Sequence, residues 1–379
     1  MTVFDVVIAG AGIAGVEGLL RLRRIAGDDV RITVVSPATD FVYRPLAVLE
    51  PFSPDSLLRY PLAPLMAQTG ATHVRDRLAR VDPAFRVVVT ESGREIRYDG
   101  LLVAIGAGQS NPYAHTSLFT DRNGGETFAS IVDDLDSGAV TSLAFVLSNW
   151  PVWPLPLYEL ALLTAHHARR RGLAPELTFV TAEPRPLKAF GQAAGQAMER
   201  LLDEAGIVLV AGVHAEVPEP GRLRVGDTTL LADRIVTLPR VVGPSVPGLP
   251  AGTGWFTPID DYCRVPDTEG RVFAAGDATD SPIKHGGLGA QQADVAAAGI
   301  AHLAGAAPRP EPVRPLIRST LLTGDSSLYL TARVVDGVGW SSEVHDCSPW
   351  PDDSKVVAEE LGAYLAGLVG RPAGPSPPA

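Results

Sequence analysis

The residues with the clearest chemical use are glycines. Val6-Val7-Ile8-Ala9 is a short apolar run that leads into Gly10-Ala11-Gly12-Ile13-Ala14-Gly15 and then into a helix pattern. Much later, Arg271-Val272-Phe273-Ala274-Ala275-Gly276-Asp277-Ala278 is a second apolar run ending in Gly-Asp. The first motif can seat a pyrophosphate. Gly10 permits the tight turn, Gly12 lets the backbone approach the anion, and Gly15 lets the helix pack close to the strand. The helix start adds unpaired N–H groups and the positive end of its dipole. The second motif can offer the Asp277 carboxylate to a chain of hydroxyls. Two such sites, far apart in sequence, imply one long ligand held by both, and FAD fits.

The elements around the first motif agree with that chemistry. A strand over 4–9 precedes it. The helix after it alternates Leu19, Leu20 and Leu22 with Arg21, Arg23 and Arg24, and a second strand follows over 30–35. A ribose-binding acid is expected at the end of that strand. The position holds Ser36 instead, with Asp40 in the next loop as a substitute.

Composition narrows the function classes. The 379 residues allow two or three domains, and 46% hydrophobic content supports a large core. A net charge of −11 argues against nucleic acid and against a basic membrane-facing surface. Two cysteines, Cys263 and Cys347, make no disulfide framework and no CxxC. No metal-ligand spacing stands out. The chain enters a strand without a charged leader, and no apolar run reaches membrane-spanning length, so a cytoplasmic protein without an integral membrane segment is expected.

Strand and helix patterns alternate along most of the chain. The expected fold class is α/β, with two Rossmann-like FAD/NAD(P)-type domains, the second inserted in the first, plus a small C-terminal α+β unit. Residues 1–108 and 250–307 would form the FAD domain, 109–249 the NAD(P)-type domain, and 308–370 the C-terminal unit. A Pro-rich tail over 371–379 reads as disordered. The last helix is predicted over about 353–369. Its charges, Lys355, Glu359 and Glu360, do not make a basic bilayer-docking face. Its apolar residues would cover the FAD domain or form a homodimer surface.

Three ordered motifs together resemble the pyridine nucleotide-disulfide oxidoreductase superfamily: Gly10 to Gly15, Tyr98-Asp99-Gly100-Leu101-Leu102-Val103-Ala104-Ile105-Gly106, and Val272 to Ala278. Ile105 replaces the usual threonine of the middle motif. Ile283-Lys284-His285-Gly286-Gly287-Leu288-Gly289-Ala290-Gln291 and Pro156-Leu157-Tyr158-Glu159 are similar to segments of its type II NADH:quinone, sulfide:quinone and flavocytochrome c sulfide dehydrogenase branch. The resemblance implies cofactor contacts from Gly10, Gly12, Ala14, Gly15, Ser36, Arg44, Ile105, Gly106, Gly276, Asp277, Gly289 and Ala290. It puts the helix start near Ala290 at the flavin ring, with Lys284 able to add positive charge. It also brings Glu159 near the flavin, where a carboxylate could bind substrate or move a proton.

Against that resemblance stand two departures. The turn after the strand over 143–147 reads Ser148-Asn149-Trp150-Pro151-Val152-Trp153-Pro154, with no glycine and several missing N–H donors. NAD(P)H binding is therefore left open. Trp150 and Trp153 either pack a shortened turn or wall a flat substrate, and His285 is a further substrate-side candidate. The segment similar to the cysteine-bearing turn has Trp153 and Pro154, so thiol-based sulfide chemistry lacks its thiols. The implied function is an FAD-dependent oxidoreductase exchanging electrons with a small molecule, a quinone among the candidates. An NAD(P)H:quinone-type reductase with an irregular nicotinamide site and a non-catalytic flavin-binding redox sensor remain as alternatives.

Overall fold

A computed structural model describes residues 3–120, 124–148, 153–335, 338–351 and 354–369. Its first unit contains β1 (Phe4–Ala9), α1 (Ile13–Ala26), β2 (Val30–Val35), α2 (Leu62–Thr69), β3 (Thr72–Val74) and β4 (Gly100–Val103). The second contains α3 (Gly124–Asp136), β5 (Ser142–Leu147), α4 (Leu155–Arg171), β6 (Glu176–Thr181), α5 (Gln192–Glu204), β7 (Ile207–Val210) and β8 (Arg234–Thr237). The chain then returns to the first sheet at β9 (Val272–Ala274) and continues through α6 (Gly286–Leu303). It closes with β10 (Leu316–Leu322), β11 (Ser327–Val335), β12 (Val338–His345) and α7 (Glu359–Val369).

The two large sheets repeat one plan. The first has the order β9-β4-β1-β2-β3, all parallel, with Val6 opposite Ile32 and Phe273 opposite Leu102. The second runs from the short strand Ser117–Leu118 through β8-β5-β6-β7, also parallel. Both faces of such sheets are covered, which is why β1 and β5 read as apolar runs rather than alternating ones. Because β9 pairs with β4, the second unit is an insertion within the first. The two chain crossings lie side by side as an antiparallel pair, Gly108–Ser110 with Arg240–Val242.

Small residues set the spacing of the first unit. α1 lies against α6, and a Cβ on Gly18 would come within 2.5 Å of Leu102 Cδ2. Ala293, Ala296 and Ala297 of α6 are fully buried in the same core. Close helix contact is thus built into composition, since larger side chains at these positions would overpack the layer.

The last unit is a three-stranded antiparallel sheet, β10-β11-β12, followed by an extended strap and α7. The helix begins at Glu359, several residues later than its periodicity predicts. Backbone groups before it are used across the chain: Thr320 N–H donates to Lys355 O, Val356 N–H donates to Tyr43 Oη, and Ser319 bridges to Val356. α7 then covers the first unit, with Leu361 buried and Tyr364 and Leu365 against its core. The predicted tail over 371–379 lies outside the described residues.

A buried carboxylate docks α7. Glu17 of α1 is fully buried and accepts Glu360 N–H at 2.9 Å and Leu361 N–H at 2.6 Å. It thereby satisfies orphan donors at the helix start. Arg21 and Arg24 reach Glu360 from the same helix. Asp294 of α6 faces this group without a partner for its buried Oδ1. Burial first, then the charges of Glu17, Glu359 and Glu360, push its pKa up to about 8, with Arg24 opposing. The native state therefore keeps a proton that the unfolded chain releases near pH 4. Its contribution is fully present below that pH and is lost as pH rises through about 8. Asp294→Asn should match the wild type near pH 4. Near pH 8 it should be more stable by on the order of 3 kcal/mol in urea titrations. Equal pH slopes for both proteins would exclude this account.

Candidate functional site

The three glycine-bearing segments meet at one end of the first sheet. Gly10 has φ +110°, and a Cβ there would sit 2.1 Å from Ala104 O. A Cβ on Gly15 would sit 2.2 Å from Gly10 O. Gly12 differs: nothing lies within 4 Å of its Cβ position. It is the extended N-cap of α1, with no side-chain cap. The turn is thus closed toward the protein at Gly10 and Gly15 and open outward at Gly12, beside unpaired N–H groups of α1.

The second motif reaches the same place. Gly276 has φ +77°, its Cβ position is 3.3 Å from Ala14 Cβ, and a Cβ on Gly289 would be 3.0 Å from Gly276 Cα. The starts of α1 and α6 therefore converge on the turn after β9. Gly276 N–H donates to Gln292 Oε1 at 2.8 Å, which fixes that turn. Asp277 follows, half-buried, and Ala290 is fully buried in the first turns of α6. Gly106 leaves β4 with φ +72°, and Ile105 packs with the core under the sheet. Ser36 is buried after β2, its Oγ accepting Ala38 N–H at 3.3 Å, while His73 Nε2 lies 3.0 Å from its carbonyl. Arg44 is exposed at the start of the turn Arg44–Leu49. The open cradle at Gly12, two anion-facing helix starts and the Asp277 carboxylate fit FAD.

Beside the α6 start lies a buried group of side chains. Lys284 donates to Thr279 O, and its Nζ is 3.6 Å from the centre of the Phe256 ring. Burial lowers its pKa to about 8, while the charges of Asp277 and Asp280 act upward. His285 is buried, with Nε2 2.9 Å from Ser319 Oγ and its ring centre 4.6 Å from that of Trp153. Its Nδ1 is buried without a partner, and burial pushes its pKa down to about 3, so the ring is neutral. Trp153 also packs on Phe190, with ring centres 5.3 Å apart. Trp150 lies outside the described residues.

Glu159 is fully buried in α4, and both its oxygens are engaged. Lys355 Nζ donates to Oε2 at 2.6 Å, and Leu322 N–H donates to Oε1 at 3.0 Å. Burial pushes the carboxyl pKa up and the ammonium pKa down, and each partner opposes the shift of the other. The sequence pattern assigns Lys355 to the last helix. The structure puts it in the strap, joining α4 to β10 and to Tyr43 through Val356. A compositional signal existed: the chain has three lysines, and two of them, Lys284 and Lys355, are buried here.

The equivalent place in the second unit is occupied by protein. Glu183 lies two residues beyond β6, where Ser36 lies one beyond β2. Its carboxylate accepts Tyr158 Oη–H at 2.8 Å and Lys188 N–H at 2.9 Å. Tyr158 is fully buried and stacks on Phe179, with ring centres 4.1 Å apart. An acid near this strand end is therefore present and already bonded from inside. Cys263 is buried at φ +60°, its thiol pKa pushed up by burial, and Cys347 is exposed. Neither forms a disulfide. Among the described residues no His/Cys/Asp/Glu group could hold a metal, and no helix is long and apolar enough to cross a membrane.

No family model matches the chain. It is 27% identical over 234 residues to the sulfide-quinone reductase of Aquifex aeolicus (strain VF5), covering 58% of this chain and 53% of that protein. It is 27% identical over 106 residues to the mitochondrial sulfide:quinone oxidoreductase of Mus musculus, covering 27% and 23%. The matched region thus spans about half of the first relative and less of the second. The X-ray structure of the sulfide:quinone oxidoreductase from Aquifex aeolicus superposes with a TM-score of 0.79, over 97% of this chain and 89% of that one, at 21% identity. This likeness is one of fold, and it extends through the C-terminal unit.

Proposed function

We propose that this chain, a member of the pyridine nucleotide-disulfide oxidoreductase superfamily, is an FAD-dependent oxidoreductase that exchanges electrons with a small molecule, a quinone being the favoured acceptor. The observation that carries this reading is the contact of Ala14, Gly276 and Gly289 beside the open backbone at Gly12. Bound FAD would supply the redox chemistry, and the protein supplies binding, orientation and electrostatics. In this reading the α1 start and Gly12 hold the pyrophosphate, and Asp277 takes the hydroxyl chain. Ser36, Arg44, Ile105 and Gly106 line the remainder. The α6 start at Gly289 and Ala290, with Lys284, favours negative charge on a reduced ring. Trp153 and His285 shield that side from water. The Glu159–Lys355 pair keeps a proton store beside it. The reading includes a cytoplasmic location.

Donation by a nicotinamide is disfavoured by Tyr158, which already bonds Glu183, and by the glycine-free turn before α4. The test is anaerobic stopped-flow of the purified protein. Dithionite-reduced flavin should be reoxidised by a water-soluble quinone within seconds, while NADH and NADPH should leave the oxidised band unbleached. Rapid bleaching by either nicotinamide would overturn the donor assignment. Failure of every quinone to reoxidise the flavin would favour a redox sensor, and a colourless protein that takes up no FAD would sink the whole reading.

A further inference from the structure

We propose that a cavity at the C-terminal end of α4 binds a small organic anion with a flat apolar body and one carboxylate or phosphate head. The cavity has a volume of about 490 Å³ and is lined by Phe52, Leu163, His166, His167, Arg170 and Arg171, with Gly324 at its edge. That size suits a small ligand. Its lining on α4 begins at Leu163, one turn or about 6 Å along the axis from Glu159, and runs on to Arg171 at the end of the helix. It shares no lining residue with the cofactor cradle.

Charge identifies the head group. The chain carries a net charge of −11, yet residues 166–171 hold His166, His167, Arg169, Arg170 and Arg171. Two carboxylates organise four of these. Asp136 lies 2.7 Å from His167 Nε2 and 3.2 Å from Arg171. Asp325 lies 3.1 Å from His166 Nδ1 and also pairs with Arg169. Arg170 has no ion pair among the described residues and lines the cavity. Three guanidinium groups against two carboxylates leave positive charge over, which an anionic head would match. Guanidinium geometry suits carboxylate or phosphate oxygens.

Shape identifies the body. Leu163 is a buried lining residue, and the Phe52 ring centre is 5.8 Å from that of His167. These surfaces offer a flat apolar wall beside the charge. Gly324 has φ +98°, and a Cβ on it would come 2.5 Å from His166 Cγ, so the β10–β11 turn lies directly on the imidazole. Phe52 comes from the first unit, α4 from the second and Gly324 from the last. An occupant would tie all three together, and binding to the native state alone would raise thermal stability.

Calorimetric titration of the purified full-length protein with benzoate, phenyl phosphate, benzyl alcohol and inorganic phosphate tests the assignment. At least one aromatic anion should bind saturably, at least about tenfold more tightly than benzyl alcohol or inorganic phosphate. The tighter of the two aromatic anions identifies the head group. Arg170→Gln should weaken that binding about tenfold or more while leaving the visible flavin spectrum unchanged. Phe52→Ala should remove the preference for phenyl phosphate or benzoate over their ring-free counterparts, phosphate and acetate. No saturable binding, undiminished binding to Arg170→Gln, or neither aromatic anion binding more tightly than its ring-free counterpart would overturn the proposal.

Discussion

Gly12→Ala is expected to give a folded protein that has lost most of its yellow colour. The Cβ position at Gly12 meets nothing within 4 Å, and the residue has ordinary extended backbone angles, φ −83° and ψ −169°. Alanine therefore fits the protein itself. The methyl group projects into the space where a pyrophosphate must approach the start of α1. Overfilling a close contact by one carbon costs about 1–3 kcal/mol, so FAD affinity should fall about 10- to 100-fold. Thermal unfolding of the FAD-free form should be nearly unchanged. Gly10→Ala provides the contrast. Its Cβ would lie 2.1 Å from Ala104 O at φ +110°, so the turn itself is broken and the protein should fail to fold with or without FAD. Unaltered flavin content in Gly12→Ala would show that the cradle serves another purpose.

The second large effect is expected at the buried ion pair. Glu159→Ala removes the partner of Lys355 and leaves an ammonium in an apolar site, with Leu322 N–H also unpaired. Losing one member of such a pair costs about 3–5 kcal/mol, whereas replacing both by apolar groups of similar size is often neutral. Glu159→Leu with Lys355→Met should therefore recover most of the stability lost in Glu159→Ala, as measured by urea denaturation. The same proteins separate structure from chemistry. If the pair delivers a proton during turnover, the stable double variant should reoxidise slowly with quinone although it is folded and yellow. Wild-type reoxidation rates in that variant would confine the pair to holding the strap.

Much of the cofactor fold was legible because its signals are local. Gly10, Gly12 and Gly15 follow an apolar run and open a helix; Gly10 and Gly15 have steric reasons visible in the packing, while Gly12 faces open space. The insertion was legible because Gly276-Asp277 has little use apart from the first motif. Other features depend on partners distant in sequence. Nothing near Lys355 announces Glu159, and a lysine beside a helical pattern reads as solvated. The helix start shifted to Glu359 because Thr320 and Tyr43 claim the preceding backbone groups, which no periodicity encodes. Glu183 was passed over because the acid alone says nothing of the Tyr158 hydroxyl that occupies it. The scarcity of lysine was the one compositional clue, since a chain that uses arginine almost everywhere else keeps two of its lysines buried at this site.

The pairing of β9 with β4 also bears on how the protein is made. Residues 104–271 separate these neighbouring strands, so the ribosome completes the inserted unit before the last strand of the first sheet exists. A nascent chain ending before β9 has the Gly12 turn but neither Gly276 nor the α6 start that faces it. The cradle is assembled late, and the strap at Lys355 and Val356 emerges later still. Cofactor capture therefore falls in the final stage of synthesis or after release. Cells short of flavin would accumulate chains whose inserted unit is finished while the surrounding one still awaits its ligand.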